Sequence, residues 1–147
     1  SGNGVAAAAL LRLGKLLGRS DYLDAAAATL KSGANIMKKA PLATGQLLLA
    51  LDSHLRPALQ LVLAGNLESD STQQVVHEIH SHYLPNCLFV ACDPDGNSPQ
   101  LLRDLITGKK VVDGQPTLYV CENFTCQEPT VGRNPIKTRL AELATSL

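Results

Sequence analysis

The stretch Thr117-Leu-Tyr-Val-Cys-Glu-Asn-Phe-Thr-Cys126 decides the fold that we predict for this chain. It opens with a short run of β-forming residues and contains two cysteines five residues apart, Cys121 and Cys126. Two earlier runs read as buried strands: Leu-Gln-Leu-Val-Leu-Ala after Ala58, which is short and bounded by turn residues, and Cys87-Leu-Phe-Val-Ala-Cys92, which is apolar without a break. Helical patterns separate the three runs. This order predicts an α/β fold with a small three-stranded parallel β-α-β layer and right-handed crossovers.

Over the first 56 residues, the apolar residues follow helical spacing and not the strand pattern. Asn3 is placed to cap a first helix, and Gly18 to end it in the left-handed conformation that suits glycine. Ser20 is predicted to cap a second helix, so that the short link between the two forms an antiparallel helical hairpin. Thr44 is predicted to start a third helix.

Two of these helices carry more apolar surface than one hairpin partner can cover. Val5–Leu11 and Leu47–Leu51 are apolar without a break, so each helix needs partners on more than one side. The chain also starts on a serine rather than a methionine. We therefore expect a fragment, in which residues 1–56 are the terminal helices of a larger helical array and residues 57–147 form a βαβαβα segment.

Three cap positions are predicted in the second segment. Asp70 or Ser71 is expected to cap the helix between the first two strands. Ser98-Pro99 and Asn134-Pro135 each place a capping residue before a proline, which favours a helix that starts there.

The overall charge argues against two classes of partner. Thirteen basic residues balance thirteen acidic ones, so neither nucleic acid nor an anionic membrane is expected as the main partner. No apolar run has the eighteen or so residues that span a bilayer.

Cys121 and Cys126 could bind a metal, form a disulfide or act in redox chemistry. A single Cys-x4-Cys lacks the second pair that a structural zinc site needs. Cys87 and Cys92 do not supply it, because their odd separation puts them on opposite faces of a strand. We predict buried, small apolar residues at those two positions and favour reduced structural thiols at Cys121 and Cys126, with the disulfide and the redox pair as alternatives.

The histidines at positions 77, 80 and 82 do not form a metal motif. The zinc-protease pattern needs two histidines four residues apart on one helix face, and His77 and His80 are three apart. Asp93-Pro-Asp-Gly-Asn97 resembles half of a calcium loop without its closing glutamate, which favours a plain turn. We expect no bound metal.

One ligand site is predicted from the strand order. Ligands of open parallel sheets sit beyond the carboxyl ends of the strands, where this chain has Asp93 and Glu122. These two residues are therefore predicted to border a pocket. No glycine-rich dinucleotide motif, P-loop or nucleophile elbow follows a strand, so no cofactor is expected.

Three stretches carry a resemblance to a known family: Ser1-Gly-Asn-Gly-Val-Ala, Leu10-Leu-Arg-Leu and, most specifically, Tyr119-Val-Cys-Glu-Asn-Phe-Thr-Cys126-Gln-Glu-Pro129. With these, the chain resembles the C-terminal part of the spermatogenesis-associated protein 20-like family of thioredoxin-domain-containing proteins. The resemblance implies an upstream thioredoxin-like domain and an α/α toroid similar to six-hairpin glycosidases and acylglucosamine epimerases. Residues 1–56 would be the last toroid helices, and Asn3 would border a substrate pocket at the mouth of the barrel.

Three functions follow as hypotheses. The first is a non-catalytic portion of a larger thioredoxin-and-toroid protein, whose upstream domains are the partners of this chain. The second is part of a carbohydrate-active enzyme, whose two catalytic carboxylates would lie in the missing barrel. The third is a redox protein that works through Cys121 and Cys126. The few cysteines favour a reducing compartment such as the cytoplasm.

Overall fold

A computed structural model describes residues 2–94, 96, 100–122 and 125–146. The described residues fall into two compact units that divide after Ala58. The first is a helical unit and the second is an α/β unit, so the chain is a mixed α and β protein, as predicted.

The helical unit has three helices and one 3-10 turn in its described part: α1 (Gly2–Leu17), α2 (Ser20–Lys39), the turn Pro41–Ala43, and α3 (Gly45–Leu55). Helix α1 packs against both α2 and α3. Within the described residues, no helix combines the length and the apolarity needed to cross a bilayer.

Small residues allow α1 to approach its neighbours closely. Its buried positions are Gly4, Ala7, Leu11 and Gly14, which recur at helical spacing along one side. A Cβ atom added at Gly4 would lie 2.7 Å from the backbone carbon of Gln46, at the start of α3. The first helix therefore touches the third almost backbone to backbone.

Two predicted helix caps in this unit are wrong. Helix α1 begins at Gly2, so Asn3 lies inside its first turn and cannot be its N-cap. Ser20 is the first residue of α2, and Arg19 occupies the cap position without capping the helix through its side chain. Gly18 does have the predicted left-handed conformation, with φ 65°. Thr44 precedes α3 as predicted, but its side chain makes no cap bond.

The α/β unit has five strands and three helices in its described part: β1 (Leu59–Ala64), α4 (Asp70–Ser81), β2 (Cys87–Cys92), α5 (Arg103–Ile106), β3 (Thr117–Glu122), β4 (Thr125–Cys126), β5 (Thr130–Val131) and α6 (Arg133–Ser146). The three predicted strands are confirmed as β1, β2 and β3. The two short strands β4 and β5 were not predicted.

The sheet is mixed, so the predicted all-parallel layer is wrong. Its order is β2-β1-β3-β4, with β5 also paired to β3. Strand β2 runs parallel to β1, as predicted, but β3 runs antiparallel to β1. A parallel β3 would need a connection that crosses the sheet from end to end. Instead, β2 ends beside Ala64 and β3 starts beside the same residue, so the connection stays at one end of the sheet.

The core lies on both faces of β1, which is buried at all six positions. On one face, Leu61 and Leu63 pack with buried side chains of α4, β3 and α6. On the other face, Val62 and Ala64 pack with Cys92 and with partly buried side chains that include Tyr119. The apolar residues on both faces of β1 thus reflect cover on both sides, and Gln60 is the one polar residue of the strand.

The predicted caps of the α/β unit are shifted by one or two residues. Ser69 caps α4, because its Oγ accepts a hydrogen bond from the Thr72 amide at 3.3 Å, so the prediction of Asp70 or Ser71 is wrong. Helix α6 begins at Arg133, which places Asn134-Pro135 inside its first turn. The predicted cap at Ser98-Pro99 lies outside the described residues.

Candidate functional site

Cys121 and Cys126 form a disulfide, which corrects the prediction of two reduced thiols. Strands β3 and β4 pair antiparallel with Cys121 directly opposite Cys126, and the two Cα atoms are 3.9 Å apart. The Val120 carbonyl oxygen accepts a hydrogen bond from the Gln127 amide, so the backbone groups of Cys121 point the other way, towards β1. The cysteines therefore occupy a non-hydrogen-bonded pair, in which opposite side chains approach most closely.

The two cysteines of this disulfide differ in exposure. Cys121 is only 2% exposed in β3, between β1 and β4. Cys126 is exposed in the two-residue strand β4. The bond therefore joins a buried residue to a surface residue.

Cys87 and Cys92 lie outside this disulfide, on opposite faces of β2, as predicted. Cys92 is buried as predicted, but Cys87 is only half-buried. Cys87 packs on the face of the sheet covered by α4 and α6, and Cys92 is buried on the other. Burial raises the pKa of the Cys92 thiol, which keeps it protonated and unreactive at neutral pH.

A thiol count distinguishes this arrangement from four reduced cysteines. We expect two reactive thiols when the unreduced protein is denatured, from Cys87 and Cys92, and four after reduction. The measurement is a colorimetric thiol assay in denaturant, with alkylated peptides assigned by mass spectrometry. Four thiols without reduction would contradict the disulfide.

Asp93 and Glu122 do not share one edge of the sheet. Glu122 pairs with Leu59, the first residue of β1, whereas Asp93 follows Cys92, which pairs with Ala64, the last residue of β1. The length of β1 separates the two, roughly 17 Å at about 3.3 Å per residue. The predicted common pocket is therefore wrong, because it assumed a parallel β3. A separate binding role for either carboxylate stays a prediction.

Asn3 lines a cleft of about 370 Å³ within the helical unit. The cleft also contains hydroxyl and apolar side chains, among them Thr29, Ser32, Ile36, Thr44 and Leu47. Sequence reasoning singled out Asn3 through the family resemblance, but it gave no signal for the other residues, because α2 and α3 bring them together from distant positions.

The hydroxyl groups in the cleft are oriented by the backbone. Thr29, Ser32 and Thr44 each donate to a nearby backbone carbonyl oxygen, at 2.8–3.2 Å. Their protons are therefore in use, while their oxygen atoms keep lone pairs that can accept hydrogen bonds. The named polar residues of the cleft are all uncharged. This arrangement can bind a ligand that donates hydrogen bonds, but it supplies no carboxylate for acid–base chemistry.

The histidines of α4 contact different groups. The His80 ring packs edge-on against Phe89, with ring centroids 5.4 Å apart. His82 Nδ1 lies 2.9 Å from the Glu78 carbonyl oxygen. The described residues contain no group of three or more histidine, cysteine or carboxylate side chains that could hold a metal ion. At Asp93, the Gly96 amide donates to the Asp93 carbonyl oxygen at 3.1 Å, the bond of a turn.

Tyr119 anchors the loop that leads into β3, a role that sequence reasoning missed. Its hydroxyl donates to the Lys110 carbonyl oxygen and accepts from the Lys110 amide, both at 2.9 Å. The Lys109 ammonium lies 5.7 Å from the centroid of the Tyr119 ring, and burial lowers the pKa of Lys109. The sequence carries no periodic signal for contacts of this kind, because they depend on how the loop folds back.

Three known proteins from different organisms are similar to this chain, and all three carry the same name. Spermatogenesis-associated protein 20 of Homo sapiens is 33% identical over 131 residues, which are 88% of this chain and 16% of that protein. The proteins of the same name from Rattus norvegicus and Mus musculus are 30% and 29% identical over the same shares. No protein-family profile matches the chain, and no solved structure matches it.

These matches confirm the predicted resemblance to spermatogenesis-associated protein 20. The α/α toroid and the thioredoxin-like domain that the resemblance implies stay predictions. The chain spans only 16% of the length of the human protein, so it represents a small part of what the relative contains. Over 88% of its own length, this chain is similar to spermatogenesis-associated protein 20.

Proposed function

We propose that this chain is a non-catalytic, structural portion of a larger protein, in which its helical unit packs against further helices. The observation that carries the proposal is the apolar surface of that unit. Val5 is 58% exposed, Leu49 is 62% exposed and Leu55 is 72% exposed. Helix residues of this kind are normally buried, and burying each one would contribute about 1.5–3 kcal/mol.

The exposed residues of α1 lie on the side away from its own buried stripe. Val5, Ala9 and Leu13 recur every four residues and are all exposed, whereas Gly4 and Leu11 face the neighbouring helices. Helix α1 is thus apolar on two opposite sides, and α2 and α3 cover only one of them. A further helix against the outer side would complete its packing.

Helix α3 has a similar outer side. Leu47 and Ala50 are buried within the unit, while Leu49 points in the opposite direction. Leu48 and Leu55, seven residues apart, share a flank of the helix and are also exposed. Two of the three helices therefore present leucine or valine side chains outwards, which favours packing partners over open solvent.

The proposed partners are the upstream domains that the family resemblance implies, an α/α toroid and a thioredoxin-like domain. The human relative is much longer than the matched region, so it has room for such domains. In this proposal the α/β unit is a compact end piece, and the helical unit is the last part of the helical array.

The test compares this chain with a longer protein that includes the preceding sequence. In this chain, the double variant Val5→Lys/Leu49→Lys should keep its thermal midpoint and bind less of a hydrophobic dye. In the longer protein, the same double variant should lower stability, because two lysines would enter an apolar interface. Leu101→Lys is the matched control, since Leu101 is 76% exposed in the α/β unit.

The outcome that contradicts the structural proposal is equally specific. If the longer protein tolerates Val5→Lys/Leu49→Lys as well as it tolerates Leu101→Lys, the outer sides of α1 and α3 are not covered there.

A second candidate is a contribution to carbohydrate binding, which the cleft at Asn3 favours. Sugar hydroxyls donate hydrogen bonds, and the cleft offers oriented hydroxyl oxygens together with the Asn3 amide. The catalytic carboxylates of such an enzyme would have to come from other parts of the longer protein. Loss of sugar binding by that protein on Asn3→Ala, with binding kept in Asn35→Ala on the exposed part of α2, would support this candidate.

A further inference from the structure

We propose that the Cys121–Cys126 disulfide is a thiol–disulfide exchange site, which a dithiol reductant attacks at Cys126 and which Cys121 closes again. This assignment deepens the redox hypothesis and does not depend on how the helical unit packs. It specifies which sulfur accepts the attacking thiolate, which sulfur leaves, and which class of molecule supplies the electrons.

Accessibility selects Cys126 as the attacked residue. A thiolate must approach a disulfide sulfur along the line of the bond, from the side opposite the leaving sulfur. Cys126 is exposed in β4, so that approach comes from solvent. Cys121 is 2% exposed, so the corresponding approach is closed to a thiolate from solvent.

The exchange is balanced in two steps. A thiolate of the dithiol bonds to Cys126 Sγ, the Cys121–Cys126 bond breaks, and Cys121 leaves with the electron pair and takes a proton from water. The second thiolate of the reductant then attacks its own partner sulfur in the mixed disulfide, and Cys126 leaves as a thiolate. The two cysteines gain two electrons, and the dithiol becomes a disulfide.

The backbone keeps the reduced cysteines opposite each other. The Gln127 amide donates to the Val120 carbonyl oxygen at 2.9 Å, and Glu122 remains paired with Thr125. Further along, β5 pairs with the start of β3, which holds the return segment at its other end. These contacts do not require the disulfide.

This geometry makes Cys121 the resolving cysteine. When a monothiol such as glutathione forms a mixed disulfide at Cys126, the thiol of Cys121 lies across the strand pair and can attack the same sulfur. An intramolecular attack from a fixed neighbour is much faster than an attack by a second free thiol. Adducts at Cys126 are therefore short-lived in the wild-type protein.

Two single variants test the direction of attack. Cys121→Ser leaves the exposed Cys126 without its resolving partner, and Cys126→Ser leaves only the buried Cys121. With oxidised glutathione under native conditions, Cys121→Ser should form a stable adduct at Cys126 at least about tenfold faster than Cys126→Ser forms one at Cys121. Peptide mass spectrometry separates both from reactions at Cys87. Equal rates at the two positions would overturn the proposal.

The wild-type protein supplies the second readout. Dithiothreitol should open the disulfide in native buffer at a rate proportional to its concentration, while the circular dichroism spectrum stays unchanged. After removal of the reductant, oxidised glutathione should restore the Cys121–Cys126 bond without a lasting adduct. Reduction that occurs only when the protein unfolds would also overturn the proposal, whatever the longer protein shows about helix packing.

Discussion

Replacing Leu61 by alanine should lower the free energy of unfolding of the α/β unit by about 3 kcal/mol. Leu61 is fully buried in β1, the strand that lies between β2 and β3. Truncation removes apolar contacts with the helix-covered face of the sheet and leaves a cavity that a strand held on both edges cannot close. Chemical denaturation, followed by circular dichroism and by tyrosine fluorescence, measures the loss.

A matched leucine in the same unit provides the control. Leu101 is largely exposed in a 3-10 turn, so Leu101→Ala should change the free energy of unfolding by less than about 0.5 kcal/mol. Similar losses for the two variants would mean that β1 is not the centre of the core.

A valine at position 4 should destabilise the helical unit by about 2–3 kcal/mol. The added Cβ would lie 2.7 Å from the backbone carbon and from the Cβ of Gln46, and 2.8 Å from the Leu47 nitrogen. Backbone atoms cannot rotate away as a side chain can, so α1 and α3 would have to separate. Thermal unfolding followed at a helix-sensitive wavelength measures the effect.

Gly45→Val separates this clash from helix propensity. Gly45 is also helical, and a Cβ added there meets nothing within 4 Å. Valine and glycine differ only by a few tenths of a kcal/mol in intrinsic helix propensity. The control should therefore stay close to the wild type, and a loss equal to that of Gly4→Val would refute close contact between α1 and α3.

The elements were predictable where a pattern is local. The runs that became β1, β2 and β3 are short, apolar and bounded by turn residues, so their positions followed directly from the sequence. Helix caps were less predictable, because Ser69, Asp70 and Ser71 are adjacent and can all accept the same kind of hydrogen bond. Which of the three caps α4 depends on the path of the loop that connects β1 to this helix.

The direction of β3 was not predictable from local pattern. A buried strand has the same apolar composition whether its neighbour runs parallel or antiparallel, and the path of residues 93–116 decides the direction. That error carried over to the candidate site, because Asp93 and Glu122 were expected at the same edge. An antiparallel β3 puts them at opposite ends of β1.

The disulfide could not be predicted from the spacing of its cysteines. Spacing alone left Cys121 and Cys126 open as metal ligands, free thiols or a bonded pair. Their bonding depends on a return strand of only two residues, β4, which is too short to have a detectable period. By contrast, the separation of Cys87 and Cys92 onto two faces followed from the two-residue period of a strand and is confirmed.

The central place of β1 also affects the chain while it is being made. Its second edge is filled by β3, which ends at Glu122, long after Ala64 has been added. At about 5–20 residues per second, roughly 3–12 s of translation pass between these two residues. Both edges of the uncharged Leu61-Val62-Leu63 segment are bare until β2 has been added, and one edge stays bare until β3 follows, so the segment can pair with another nascent chain. The strand order thus delays the pairing of β1 during translation, and we expect a chaperone to reduce aggregation most in that interval.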